Sequence, residues 1–186
     1  MYFLRDLSGG IRLVGEVIPY LHSVSVGVWV RAGSFFETPR INGISHFIEH
    51  MLFKGTETRS ARDISDLMDS IGGQLNAFTA KDYTCFYAKV IDEHMDTAVA
   101  LLADMLANSV FDEGEIEKEK GVVIEEINMM EDTPDDLVHE AIAEAFFSGG
   151  PLSMMILGRE ETVRGLSRNT MRGYLQNRYR GENVVL

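Results

Sequence analysis

Residues 61–91, ARDISDLMDSIGGQLNAFTAKDYTCFYAKVI, contain the change of period that decides the fold. Ala61 to Ile71 has the apolar spacing of a helix. Gly72-Gly73 breaks it, and Gln74 to Thr79 and Tyr83 to Ile91 then read as two strands around Lys81-Asp82. Toward the N-terminus, residues 2–6 and 11–18 flank Ser8-Gly9-Gly10 as a hairpin. Ser23 to Ala32 alternates Val24, Val26, Val28 and Val30 as a strand, and Gly43 to Phe53 reads as a helix. Toward the C-terminus the signal is helical over Glu93 to Ser109, Glu115 to Asp132, Pro134 to Phe147 and Ser167 to Tyr179, with a strand opening at Val184-Val185-Leu186. Strands early and helices late predict an α+β domain, a mostly antiparallel sheet covered by helices.

The 186 residues are 45% hydrophobic and 25% charged. These are ordinary globular values and exclude a disordered tail, a collagen-like repeat and a disulfide scaffold. The longest apolar run, Val24 to Val30, is far short of the roughly 20 residues of a spanning helix. No basic n-region or apolar h-region follows Met1, so the expected location is the cytoplasm, away from membranes. The single cysteine, Cys85, lies in an alternating apolar run and reads as a buried, inert thiol. A net charge of -12 speaks against nucleic acid and anionic membranes as partners and welcomes basic ligands. Asp112 to Glu144 holds thirteen carboxylates against only Lys118 and Lys120. That acid is either a set of solvated helix faces or a field that draws basic peptides.

With Ile44 at zero on a helical wheel, Phe47, Ile48, Met51 and Leu52 fall within about 80°, while Glu49, His46 and His50 lie at about 140°, 200° and 240°. The two histidines, one turn apart, can converge two imidazole nitrogens on one ion, and Glu49 can reach a water on that ion. This is the H-x-x-E-H order. A catalytic zinc needs a third ligand from elsewhere in the chain. His22, His94 and His139 stand alone and read as structural or exposed.

On the helix from Glu115, with Ile116 at zero, Val123, Ile127 and Met130 lie within about 40°, and Glu119 and Glu126 fall at about 300° and 280°, inside the apolar arc. A carboxylate facing a core must be paired with a cation, protonated or metal-bound. Glu115 sits in the first turn, where Asp112 can cap and acid suits the helix dipole.

His46-Phe47-Ile48-Glu49-His50-Met51-Leu52-Phe53-Lys54-Gly55-Thr56, with Glu126 76 positions after His50, resembles the pitrilysin-like inverted zinc metallopeptidases, which include insulysin and the mitochondrial processing peptidase β subunit. Bacterial processing-peptidase homologues are the nearest in character, and the resemblance implies that the cytoplasm is that of a bacterium. Ser23 to Ser34, Gly72 to Tyr87 and Glu117 to Asp136 resemble further segments of the family. The resemblance implies that His46, His50 and Glu126 bind one Zn²⁺, that Glu49 is the general base, and that Glu119 supports the site from behind the ligands. It also implies that Gln74 to Thr79 is an exposed edge strand receiving the peptide substrate, with Asn76 and Ala77 as contacts, and that Phe53 and Phe78 line a side-chain pocket.

The expected protein is therefore a zinc endopeptidase cutting extended peptides or presequence-like segments. The competing class is a non-catalytic binding and assembly subunit, of a kind the family also contains. Because the chain stops inside an apolar run, residues 1–186 are expected to be the N-terminal zinc-peptidase domain of something longer. A second homologous domain or subunit would complete the chamber, as a homo-oligomer or heterodimer.

Overall fold

The computed structural model describes residues 1–186. Six strands form one mixed sheet: β1 (Tyr2–Asp6), β2 (Arg12–Glu16), β3 (Ser23–Val30), β4 (Gln74–Thr79), β5 (Thr84–Ile91) and β6 (Val184–Val185), in the order β1-β2-β6-β3-β5-β4. Every pairing is antiparallel except β2 with β6. β4 is thus an edge strand. The helices are α1 (Ile44–Leu52), α2 (Ala61–Ser70), α3 (Met95–Asn108), α4 (Glu113–Glu131), α5 (Pro134–Phe146), α6 (Glu160–Gly165) and α7 (Arg168–Arg178). The expected α+β architecture is the one found, with element ends moved by a residue or two. Helix α6 was not foreseen, because six residues burying only Val163 carry no readable period.

Alternation in the strands decides which face is covered. Thr84, Phe86, Ala88 and Val90 of β5 are buried, as are Val28 and Val30 of β3. α3 packs against β3 and β5, and α1 against β4 and β5. Helix α1 is the centre of the core: Ile44, Phe47, Ile48, Met51 and Leu52 are all fully buried, the stripe its sequence predicts. A core aromatic such as Phe47 is worth about 3–5 kcal/mol against alanine, so the helix that carries His46, Glu49 and His50 is anchored by its opposite side.

The flanking elements are locally specified. Ser60 and Asp63 form a reciprocal capping box at the start of α2. The Asp112 side chain accepts from the N–H groups of Gly114 and Glu115, which fixes the start of α4 as its sequence indicates. Cys85 is buried, and that burial pushes its thiol up to about 11, helped by the charge of Glu49. The thiol is protonated and inert at neutral pH.

No helix is long and apolar enough to cross a membrane.

Candidate metal centre

His46 and His50 leave α1 on the side away from its core stripe, and α4 lies against that side. Their Nε2 atoms are 3.2 Å apart. The Oε2 of Glu126 lies 3.6 Å from His46 Nε2 and 3.5 Å from His50 Nε2. A tetrahedral ion with ligand bonds of about 2.0–2.1 Å holds its donor atoms about 3.3 Å apart, so the three atoms sit at the corners of a metal-sized triangle. Two nitrogens and one carboxylate oxygen with a fourth position open form a donor set that suits a divalent zinc-like ion.

The protonation pattern agrees with that use. Burial, and next the neighbouring His50, push His46 down to about 3, so its ring is neutral at physiological pH. His50 Nδ1 lies 2.8 Å from Glu119 Oε1, and Lys54 Nζ lies 2.6 Å from Glu119 Oε2. A carboxylate held by an ammonium can only accept, so the His50 proton sits on Nδ1 and the Nε2 lone pair faces the triangle. Glu119 is only 4% exposed. Its cost of burial is met by two charge-assisted hydrogen bonds. The expectation that it must be paired is realised through Lys54 and His50 together. Lys54 was present in the motif, but four residues past His50 it has no period that would betray its reach across to α4.

Glu126 departs from the wheel. Its side chain is 38% exposed rather than enclosed in an apolar arc. Two turns beyond Glu119, Glu126 stands at the margin of the buried stripe formed by Val123, Ile124 and Ile127, beside the histidines.

Glu49 accepts a short hydrogen bond from the Thr79 hydroxyl at the end of β4. Burial raises its carboxyl above the ordinary range, against the lowering effects of Thr79 and His50, and Glu126 raises it further. Thr79 is the other residue that sequence reasoning did not single out. Its inward position on β4 follows from the alternation that buries Leu75 and Ala77 against the core.

The remaining predicted residues divide. Phe53, at the C-cap of α1, borders with Asn76 a cavity of about 600 Å³ between α2 and β4. The Asn76 Oδ1 accepts from its neighbour's N–H, Ala77, at 2.8 Å. Phe78 lies on the sheet's uncovered face, its ring 5.8 Å from Trp29 and 5.9 Å from Tyr83. Phe53 and Phe78 therefore do not line one pocket: Phe53 packs against the core from the end of α1, whereas Phe78 stands on the exposed face of β4. His22 pairs with Asp92 at the surface, and His94 and His139 also lie outside the cluster.

Residues 12–160 match the Insulinase (Peptidase family M16) family. The chain belongs to peptidase family M16. That membership bears out the pitrilysin-like resemblance. The M16 chain is 52% identical over 177 residues to an uncharacterized zinc protease, YmxG, of Bacillus subtilis (strain 168), a match covering 95% of this chain and 43% of that protein. It is similar in structure to a protease from Helicobacter pylori, with a TM-score of 0.94 at 21% identity, over 100% of this chain and 45% of that one. A peptidase M16 domain from Pseudomonas fluorescens described as inactive is similar too, with a TM-score of 0.93 at 14% identity, over 100% of this chain and 45% of that one. At such identities the two structures speak to the M16 fold alone. The chain spans less than half the length of these relatives.

Proposed function

We propose that this chain is the N-terminal catalytic domain of a zinc endopeptidase that cuts extended, preferentially basic peptides, with His46, His50 and Glu126 as metal ligands and Glu49 as general base. The observation that carries the reading is the triangle of two imidazole nitrogens and one carboxylate oxygen, with a second carboxylate, on Glu49, held beside it. Zn²⁺ in that triangle would supply a Lewis acid and a water with a pKa lowered toward about 7.

Glu49 takes a proton from the attacking water and delivers it to the leaving amine, and Thr79 keeps the carboxylate aimed. Glu119 holds the His50 tautomer. The free edge of β4 receives the peptide as an added strand. The substrate displaces the Asn76 carboxamide from the Ala77 N–H and so gains both groups as partners. Phe53 borders the cavity next to that edge. A second homologous domain or subunit closes over the first.

The non-catalytic reading shares the fold, since one similar M16 domain is described as inactive. The four side chains His46, Glu49, His50 and Glu126, all present and converging, favour catalysis.

Hydrolysis of one basic and one acidic extended peptide should be followed with the chain alone and with the chain joined to the remainder of the protein. Cleavage at internal bonds should vanish on chelation and return with zinc, and should be stronger in the joined form. The basic peptide should be favoured below about 0.15 M salt, where exposed charges still steer over a Debye length of about 8 Å or more. No zinc-dependent cleavage in either form would sink the reading.

A further inference from the structure

Glu37 is only 6% exposed and takes no part in the chemistry described above. Its Oε2 accepts from the Asn42 Nδ2 at 2.9 Å and from the Gly43 N–H at 2.7 Å, and its Oε1 accepts from the Ser45 N–H at 2.9 Å. Gly43 is the N-cap of α1, and Ser45 directly precedes His46. All three partners are donors and none can accept, so both oxygens of Glu37 must act as acceptors. A carboxylate satisfies this with both oxygens, whereas the amide of a glutamine would turn an N–H donor toward one of these three donors. Burial holds the carboxyl above its ordinary range, and these same hydrogen bonds offset that only in part. The negative charge also lies at the positive end of α1.

The clamp extends beyond the helix. The Asn42 carboxamide donates to the Met155 carbonyl at 2.8 Å, and the Thr162 hydroxyl donates to the Asn42 carbonyl at 2.8 Å. Gly43, at φ 93°, could not carry a side chain, since a Cβ would stand 2.5 Å from the Leu157 carbonyl oxygen. The backbone entering α1 is thus pressed against residues 155–162 with no side chain between them.

The two histidines are held in different ways. His50 is oriented by Glu119, as metal-binding histidines usually are by a partner on the other ring nitrogen. His46 Nδ1 is buried and has no hydrogen-bond partner. The place of its Nε2 is set by the backbone of the first turn of α1, which Glu37 fixes.

We propose that Glu37 is a positioning residue for His46: by gathering the donors of Asn42, Gly43 and Ser45 it places the first turn of α1 and so the first corner of the metal triangle. This rests on the reading of His46, His50 and Glu126 as a metal site. The test measures zinc affinity by chelator competition, and the visible spectrum of the Co²⁺-loaded protein, in wild type and in Glu37→Gln, with circular dichroism to check folding. The expected result is a folded variant with affinity lower by about 10–100-fold, as for loss of other outer partners of metal ligands, and with an altered Co²⁺ spectrum. In turnover, kcat should fall more than KM changes.

Wild-type affinity and spectrum in folded Glu37→Gln would overturn the proposal and leave the metal reading intact. Failure of the wild type itself to bind zinc would overturn both. Asn42→Ala withdraws one donor and should show a smaller loss in the same direction. If Glu37→Gln does not fold, wild-type affinity and spectrum in Asn42→Ala overturn the proposal.

Discussion

Replacing Glu49 with glutamine should lower kcat by about 10²- to 10⁴-fold and leave zinc bound, the range that loss of a positioned general base produces. Glutamine keeps the shape and can still accept from the Thr79 hydroxyl, so β4 and α1 need not move. It cannot take a proton. Glu49 lies outside the triangle of converging donors, so metal content should be unchanged. Steady-state kinetics and metal analysis on the same preparation make the comparison. Cleavage at the wild-type rate would remove Glu49 from its role, and loss of zinc would show it to be a ligand.

The second large effect is expected at Glu126. It is the one charged donor of the triangle and the one contributed by α4, whereas His46 and His50 both come from α1. Glu126→Gln leaves two imidazoles on one helix and a neutral amide oxygen, a weak ligand for a dication. Stoichiometric zinc should be lost during purification. By chelator competition the affinity should fall by more than the about 10–100-fold expected of Glu119→Gln, which leaves all three donors in place but weakens the hold on His50. Equal zinc in wild type and Glu126→Gln would remove Glu126 from the ligand set.

The parts legible in the sequence were those governed by local period. The stripe Ile44, Phe47, Ile48, Met51, Leu52 faces the core and leaves the histidines on the other side, because 100° per residue leaves a nine-residue helix no other arrangement. The edge position of β4 entered only through family resemblance, since alternation within a strand says which face is buried and not which strands are neighbours. Lys54 and Thr79 lay unread for a related reason. Each acts on a carboxylate of another element, so its partner depends on how α1, α4 and β4 come together. Glu126 was read as enclosed because a wheel treats a helix as if one environment ran along its whole length. The α4 helix is 19 residues long, and along one line of it the side-chain exposure goes from 5% at Glu119 to 38% at Glu126.

β6 has a consequence for how the molecule is made. Val185 is the bridge between Arg12 of β2 and Trp29 of β3. Leu186 continues the seam, donating to the Arg12 carbonyl at 2.8 Å and accepting from the Val14 N–H at 2.7 Å. The hairpin of β1 and β2 is thus joined to the rest of the sheet by Val185 and Leu186, which lie far from it along the chain. At about 5–20 residues per second, 186 residues take roughly 10–40 s to emerge. For nearly all of that time β2 and β3 each expose an unpaired edge, a template for pairing with other chains. Nascent chains arrested before residue 181 should be cut by protease within residues 1–20, and chains that include residues 184–186 should resist. Equal resistance in both would mean that the hairpin docks without its seam. Otherwise the sheet closes like a zip whose slider arrives late, and the window for aggregation lasts until residues 184–186 have emerged.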